Sequence, residues 1–234
     1  MLRWRNAVMS LALALLAAGC VTSPTGQGTT TMSYLALGDS YTIGEGVAES
    51  GRWPVQLARE LRAEGIELGE PRIIATTGWT TDELSAAIDA AEPLGNFDFV
   101  SLAIGVNNQY RGRDVVEYRE QFAALLERAI GFAGDRADRV LVLSIPDWGV
   151  TPFAVARGRD AAQIATQLDA YNAAAAEVCA RRGVAFVDIT PVSRARGAEA
   201  GMLADDGLHP SAAMYAQWTA RALPIARRLL GGTE

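Results

Sequence analysis

The chain has a single histidine, His209, which follows Asp206 by three residues. A carboxylate at this spacing can accept the Nδ1–H of the imidazole, fix its tautomer, and leave Nε2 free to take a proton from a hydroxyl. Asp205 is a second carboxyl that could do this, but the spacing favours Asp206. The alternative is structural, with Asp206-Gly207 as a turn and His209 before the start of a helix at Pro210. The chemical interpretation requires a nucleophile elsewhere in the chain.

Ser40 is the candidate nucleophile, since it follows an apolar run that ends at Gly38-Asp39. Serine is also a common helix N-cap, because its oxygen accepts an unpaired amide hydrogen of the first turn. Both interpretations place Ser40 at a turn from strand to helix. Histidine is the usual base for a seryl nucleophile, so His209 favours the catalytic interpretation. Asp39 is then predicted to give structural support.

Acyl transfer also needs hydrogen-bond donors directed at a developing oxyanion. The backbone N–H of Ser40 is one candidate, and that of Gly78 is a second, because glycine permits a close approach of the backbone. The side-chain amide of Asn107 is the third candidate. Each could instead be an ordinary turn residue. Their occurrence after successive apolar runs predicts one oxyanion hole.

Five apolar runs alternate with helical patterns, and this order predicts a parallel sheet with helices on both faces. Catalytic groups in such sheets lie beyond the carboxyl ends of the strands. The predicted strands are Ser33–Leu37, Arg72–Ala75, Phe97–Ile104, Arg139–Ile145 and Val184–Ile189. The predicted helices are Pro54–Gly65, Asp82–Ala91, Val115–Phe132, Asp160–Arg182 and Ala212–Leu230.

Four short segments resemble the four blocks of the SGNH hydrolases, also called GDSL esterases/lipases. They are Gly38-Asp39-Ser40-Tyr41, Gly78, Gly105-Val106-Asn107 and Asp206-Gly207-Leu208-His209-Pro210. The resemblance covers essentially residues 33–230. It implies a flavodoxin-like three-layer α/β/α sandwich with a five-stranded parallel sheet, and ester hydrolysis without a metal or other cofactor. It also implies a triad of Ser40, Asp206 and His209, with Ser40, Gly78 and Asn107 as the oxyanion hole.

The sequence departs from the family pattern at two positions. Tyr41 stands where the family name has leucine, outside the chemistry. Asn108 stands where the family usually has aspartate, in the block that carries Asn107. Because that aspartate is not the catalytic one, we expect an altered hydrogen bond in this loop rather than a loss of activity.

The first twenty residues resemble a bacterial lipoprotein signal. Arg3 and Arg5 precede an apolar run that is too short to span a bilayer, and small residues lead to Cys20. The pattern predicts a signal peptide over residues 1–19, lipidation of Cys20, a flexible tether over residues 20–32, and a hydrolase domain over residues 33–234. Val21 favours the periplasmic face of the outer membrane; the alternative is an ordinary secretory signal and a soluble exported protein.

Several classes of function are excluded or weakened. Removing residues 1–19 changes the net charge from −6 to −8, which disfavours nucleic acid as a partner. A zinc site with several histidines cannot be built from His209 alone. The chain has neither the Gly-x-Ser-x-Gly elbow nor a phosphate-binding loop, which argues against an α/β-hydrolase and a nucleotide-binding module. Cys179 lies in a helical pattern and is predicted to be a buried apolar residue.

The substrate is predicted less closely. Trp79, Trp148 and Phe153 follow strands on the site edge and are candidates for an apolar pocket, with core packing as the alternative. Residues 147–158 are predicted to be a long loop that serves as a lid or pocket wall, and Trp218 is predicted to lie in the core. Short acyl esters are the first expectation, and lysophospholipids or thioesters the second. A binding lipoprotein without turnover is the remaining alternative.

Overall fold

The computed structural model of the protein describes residues 31–231, together with Met1 and Trp4. The predicted signal peptide, the lipidation site Cys20 and most of the predicted tether lie outside the described residues. Met32, at the end of that tether, forms a parallel bridge with Leu68. No helix in the described part of the chain is both long and apolar enough to cross a membrane.

A five-stranded parallel sheet forms the centre of the molecule, in the order β2-β1-β3-β4-β5. The strands are β1 (Tyr34–Gly38), β2 (Arg72–Ala75), β3 (Phe99–Ala103), β4 (Val140–Leu143) and β5 (Ala185–Val187). The central strands β1 and β4 are buried along their whole length. Strands covered on both faces need continuous apolar sequence, and for this reason the apolar runs predicted them.

Helices cover both faces of the sheet and complete the predicted three-layer α/β/α architecture, which is confirmed. The helices are α1 (Ser40–Ile43), α2 (Trp53–Ala63), α3 (Thr81–Ala91), α4 (Val106–Tyr110), α5 (Val115–Phe132), α6 (Pro152–Ala156), α7 (Ala161–Arg182), α8 (Thr190–Arg196) and α9 (Ala212–Leu229). The long helices α2 and α9 pack together, and α5 packs against α3 and α7. The five helices predicted from periodicity agree with the structure to within two residues.

The segment 147–158 is not the long loop that the sequence predicts. It forms a 3-10 turn at Trp148–Val150 and then α6. The Thr151 side chain accepts from the N–H of Ala154, and Pro152 occupies the first turn, where its missing N–H costs nothing. Asp147 accepts from the N–H of Gly149 and pairs with Arg194 at 2.9 Å. The Asp147 end of the segment is therefore fixed to the body of the protein.

The two residues that the sequence predicts to be buried, Trp218 and Cys179, both lie in the core. Trp218 is buried, and its ring meets Tyr41 edge-on with a centroid separation of 5.8 Å. Cys179 is fully buried, and burial raises the pKa of its thiol to about 12. The thiol therefore stays protonated and packs as an apolar group, as predicted.

Candidate active site

Ser40 is held at the turn from β1 into α1. The carboxylate of Asp39 accepts from the N–H of Tyr41 at 3.0 Å, so Asp39 rather than Ser40 caps the helix. Gly38 is required just before them, because a Cβ there would lie 2.1 Å from Thr42 Oγ1 and 2.5 Å from the Ala103 carbonyl oxygen. With the capping role filled by Asp39, the hydroxyl of Ser40 is left available at the carboxyl edge of the sheet.

Asp39 is fully buried behind Ser40. Burial raises the pKa of its carboxyl from 3.8 to about 7, although hydrogen bonds from backbone N–H groups, among them those of Tyr41 and Gly105, act in the opposite direction. The bond from Tyr41 holds the Asp39 side chain at the turn from β1 into α1. Asp39 thus provides the structural support that the sequence predicts.

Asp206 and His209 form one hydrogen-bonded unit just before α9. Nδ1 of His209 lies 2.5 Å from Oδ2 of Asp206, while Oδ1 accepts from the backbone N–H groups of Leu208 and His209, each at 2.9 Å. Burial alone would raise the pKa of Asp206, but the hydrogen bonds from His209 and from the two backbone groups lower it below its ordinary value. The carboxylate is therefore ionised and fixes the imidazole by its Nδ1 side.

The loop that carries this unit is fixed by backbone hydrogen bonds. Leu203 and Pro210 form an antiparallel bridge, and the N–H of Ala204 donates to the carbonyl of His209 at 2.8 Å. The N–H of Phe153, in α6, donates to the carbonyl of Gly207 at 3.1 Å. The segment 147–158 thus contacts the histidine loop directly.

Of the two further oxyanion candidates, Gly78 lies on the loop after β2 and Asn107 lies in the first turn of α4. Gly78 has a φ of +91°, a conformation that L side chains rarely adopt. In the part of the chain that the structure describes, no hydrogen bond uses the N–H of Gly78 or of Ser40. The side-chain amide of Asn107 donates one hydrogen to the carbonyl of Trp79 at 2.9 Å, which leaves its other hydrogen available.

Arg111 ties the Gly78 loop to α4. Its Nη2 donates to the carbonyl of Gly78 at 2.7 Å, and its Nη1 donates to Glu83 at 3.1 Å. Arg111, at the end of the helix that bears Asn107, therefore sets the direction of the Gly78 carbonyl. It thereby also sets the direction of the neighbouring amide groups.

Asn108 joins α4 to the start of α3 inside the protein. It is fully buried; its Oδ1 accepts from the N–H of Thr81 at 3.1 Å, and its Nδ2 donates to Thr81 Oγ1 at 2.7 Å. Thr81 Oγ1 in turn donates to Gln121. An aspartate would need the threonine hydroxyl as a donor, which Gln121 already uses. The amide of Asn108 therefore makes one bond as an acceptor and one as a donor, which an ionised carboxylate cannot do; that the change leaves activity intact stays a prediction.

A cavity of about 210 Å³ opens at this edge of the sheet and collects the predicted residues. It is lined by Ser40, Tyr41, Thr77, Gly78, Val106, Asn107, Tyr110, Trp148, Phe153, Leu208 and His209. Ser40 and His209 are both nearly buried in its wall. No hydrogen bond between Ser40 and His209 is formed among the described residues, and such bonds often tighten only when a substrate binds.

Trp79, which the sequence grouped with Trp148 and Phe153 as a pocket residue, does not line the cavity. Its side chain is half-buried against the hydrophobic core, and its N–H bonds to the Thr76 carbonyl across a tight turn at Gly78. The alternative of core packing therefore holds for Trp79, whereas Trp148 and Phe153 do face the cavity.

Sequence reasoning missed Tyr110, Val106, Thr77 and Leu208 as cavity residues. Tyr110 ends the five-residue helix α4, and its ring lies 5.3 Å from that of Trp148. So short a helix has no periodicity to read, although Leu208 and Val106 lie within the blocks that carry the resemblance. Position next to a block residue was the only signal that could have found them.

An open parallel sheet that brings a serine, an Asp–His pair and backbone donors to one cavity is the arrangement of a hydrolase. The chain belongs to the GDSL-like lipase/acylhydrolase family, whose model matches residues 36–217. No curated protein matches the chain.

Solved structures show the same fold. A lipase/acylhydrolase from Enterococcus faecalis is 22% identical, with 86% of this chain and 96% of that chain covered and a TM-score of 0.64. The psychrotrophic esterase EstA from Pseudoalteromonas sp. is 14% identical (86% and 100% covered, TM-score 0.65). An acetyl-xylooligosaccharide esterase from Geobacillus is 20% identical (86% and 95% covered, TM-score 0.61).

Proposed function

We propose that the protein is a serine esterase that hydrolyses short-chain carboxylic esters through a Ser40–Asp206–His209 triad. The observation that carries this proposal is the 2.5 Å contact between Asp206 and His209 Nδ1, in a histidine that lines one cavity with Ser40. Membership of the GDSL-like lipase/acylhydrolase family agrees with it.

The reaction proceeds in two steps. Ser40 Oγ attacks the ester carbonyl while Nε2 of His209 takes its proton; the alcohol then leaves with that proton and an acyl-enzyme remains. Water, deprotonated by His209, releases the acid and restores Ser40. The N–H groups of Ser40 and Gly78 and the Asn107 amide stabilise the oxyanion in each step. Asp206 keeps Nε2 unprotonated at the start and stabilises the imidazolium that forms.

The size of the cavity supports a short acyl group. About 210 Å³ is below the roughly 300–1,000 Å³ of sites for drug-sized ligands. Its wall holds apolar and aromatic side chains, so a small apolar group fits better than a sugar hydroxyl pattern. Para-nitrophenyl esters of increasing acyl length should therefore show kcat/KM highest for the shortest acyl groups. A maximum at long chains would instead support the lysophospholipase or thioesterase alternative.

The catalytic assignment is tested by covalent labelling. A fluorophosphonate probe should label the wild-type protein at Ser40, and labelling should fall to background in Ser40→Ala and in His209→Ala. Turnover of para-nitrophenyl acetate should be lost in the same variants. Undiminished turnover by Ser40→Ala would refute the assignment, and absent turnover by a folded wild type would favour a binding protein.

We further propose that the protein is exported and anchored by a lipid on Cys20, because residues 1–20 have the pattern of a lipoprotein signal. In bacteria fed labelled palmitate, the wild type should incorporate the label and partition with membranes. Cys20→Ala should do neither. Equal incorporation by this variant would contradict lipidation at Cys20.

A further inference from the structure

Two exposed arginines stack on the aromatic rings of the active-site cavity. The guanidinium of Arg157 lies 4.3 Å from the centroid of the Phe153 ring. The guanidinium of Arg159 lies 5.4 Å from the ring centroid of Tyr110 and 5.5 Å from that of Trp148. All three rings line the cavity, although the arginines themselves do not, so both cations lie next to its aromatic wall; we take this position as the rim of the cavity.

Neither arginine has a carboxylate partner in the part of the chain that the structure describes. Other arginines on this edge of the sheet do: Arg111 pairs with Glu83 at 3.1 Å, and Arg194 pairs with Asp147 at 2.9 Å. Asp160 follows Arg159 directly, but its side chain accepts from the N–H groups of Ala162 and Gln163 as the cap of α7. The positive charge at the rim is therefore not neutralised by the protein.

This arrangement leaves the guanidinium donors available to a ligand. A ring beneath a guanidinium holds its plane in place through cation–π attraction, while the N–H groups at its edge remain free for oxygen ligands. Arginine binds carboxylate and phosphate oxygens through two parallel hydrogen bonds. The location is notable because the whole chain carries a net charge of −6.

We propose that the substrate is an ester that also bears an anionic group, a carboxylate or phosphate, which Arg157 and Arg159 bind at the rim of the cavity. The apolar part of the substrate contacts Tyr110, Trp148 and Phe153, and the anion holds the ester carbonyl in place over Ser40. This inference rests on the proposed esterase function and narrows its substrate class.

The test compares matched pairs of esters that differ in one negative charge. Para-acetoxybenzoate and its methyl ester place the charge, or its neutral counterpart, on the alcohol side. Para-nitrophenyl hydrogen adipate and para-nitrophenyl pentanoate place it on the acyl side.

The readout is the ratio of kcat/KM for the anionic ester to that for its neutral partner. In Arg157→Gln and Arg159→Gln this ratio should fall by roughly 2–5-fold each, since exposed charge pairs have energies of that order. The double variant should fall further, and added salt should lower the wild-type ratio.

Arg59→Gln is the matched control. Arg59 is exposed on α2 and pairs with Glu60. Its substitution by glutamine removes the same charge at a position away from the cavity. Its ratio should equal that of the wild type. The inference is overturned if the double variant keeps the wild-type ratio in both substrate pairs, or if Arg59→Gln lowers the ratio equally. A lower ratio in only the acyl-side pair or only the alcohol-side pair identifies the side of the ester on which the anion lies. If the wild type cleaves none of the four esters, the esterase function itself fails along with the inference.

Discussion

At the scale of single residues, Asp206 and its neighbour Asp205 offer a direct test of the triad. Asp206→Asn keeps an oxygen for the backbone N–H groups of Leu208 and His209 but presents an amide to His209 Nδ1 in place of an acceptor. The imidazole then adopts the wrong tautomer for a base. We expect kcat to fall on the order of 10³–10⁴-fold with the fold intact, measured on para-nitrophenyl acetate.

Asp205→Asn is the control for this substitution. It removes the same charge one residue away, from an exposed carboxyl that makes no hydrogen bond among the described residues. Its kcat should stay within about 2-fold of the wild type. Equal losses in both variants would mean that net charge, and not the histidine contact, controls turnover.

Alanine variants of Gly78 and Gly65 distinguish the effect of backbone strain on stability from an effect on catalysis. Both have strongly positive φ, +91° and +83°, so alanine at either position should destabilise the fold by about 1–2 kcal/mol. Only Gly78 lines the cavity. Gly78→Ala should also lower kcat on the order of 10²-fold, because the shifted backbone turns the oxyanion donor away.

Chemical denaturation and steady-state kinetics on the same preparations check this. In Gly65→Ala, where the added Cβ meets nothing within 4 Å, kcat should be unchanged. A normal kcat in Gly78→Ala would remove Gly78 from the oxyanion hole.

The candidate catalytic residues could be brought to one site from the sequence because several of them follow apolar runs, and the ends of parallel strands share one edge. Ser40, Gly78 and Asn107 were found in this way, whereas His209 was found as the single histidine three residues after Asp206; all four line one cavity. Trp79 was grouped wrongly with Trp148 and Phe153 as a pocket residue. Its position after a strand does not indicate where its side chain points, because a tight turn at Gly78 comes between.

At the scale of elements, Asn107 and Asn108 are neighbours on the short helix α4 with different predicted roles, one in catalysis and one in stability. Asn108 accepts from the N–H of Thr81, the first residue of α3, which has no partner within its own helix. Asn108→Ala leaves this buried donor unpaired and should lower the free energy of unfolding by about 1–3 kcal/mol.

Asn107→Ala is the counterpart, because Asn107 lines the cavity and makes one hydrogen bond to the Trp79 carbonyl. It should lower kcat on the order of 10²–10³-fold and the unfolding free energy by no more than about 1 kcal/mol. Thermal melts and kinetics of both variants measure the contrast. The same stability loss with the same kinetic loss in each would contradict the division of roles.

The elements that the sequence failed to predict are all short. The helices α1, α4, α6 and α8 contain seven residues or fewer, too few for apolar periodicity to distinguish helix from loop. For residues 147–158 the only helix signal is local, a threonine cap followed by proline, and the sequence prediction of a long loop did not use it. Three of these helices, α1, α4 and α6, contribute residues to the cavity wall, so the pocket was predicted less completely than the sheet.

At the scale of the whole molecule, buried and exposed carboxyls give opposite dependences of stability on pH. Hydrogen bonds lower the pKa values of Asp98 and Asp206, so the stability that these groups contribute is present above their ordinary pKa and is lost as the pH falls through the lowered one. Asp39 acts in the other direction. Because its pKa rises from 3.8 to about 7, the folded state binds more protons than the unfolded state between these values, and stability falls as the pH rises through that range.

We therefore predict that Asp39→Asn flattens the fall in stability between about pH 4.5 and pH 8. A pKa raised to about 7 corresponds to roughly 4 kcal/mol in total, of which about 3 kcal/mol falls in this interval in the wild type. The asparagine retains an oxygen for the N–H of Tyr41 and carries no charge to desolvate, so its unfolding free energy should change little with pH from this source. Urea denaturation at several pH values measures the slope of the unfolding free energy against pH in the wild type and in Asp39→Asn. Asp205→Asn is the control: it removes an exposed carboxyl from the same edge of the sheet and should keep the wild-type slope. A wild-type slope in Asp39→Asn would mean that Asp39 is ionised in the folded protein throughout this range, with its charge stabilised by the backbone amides of Tyr41 and Gly105.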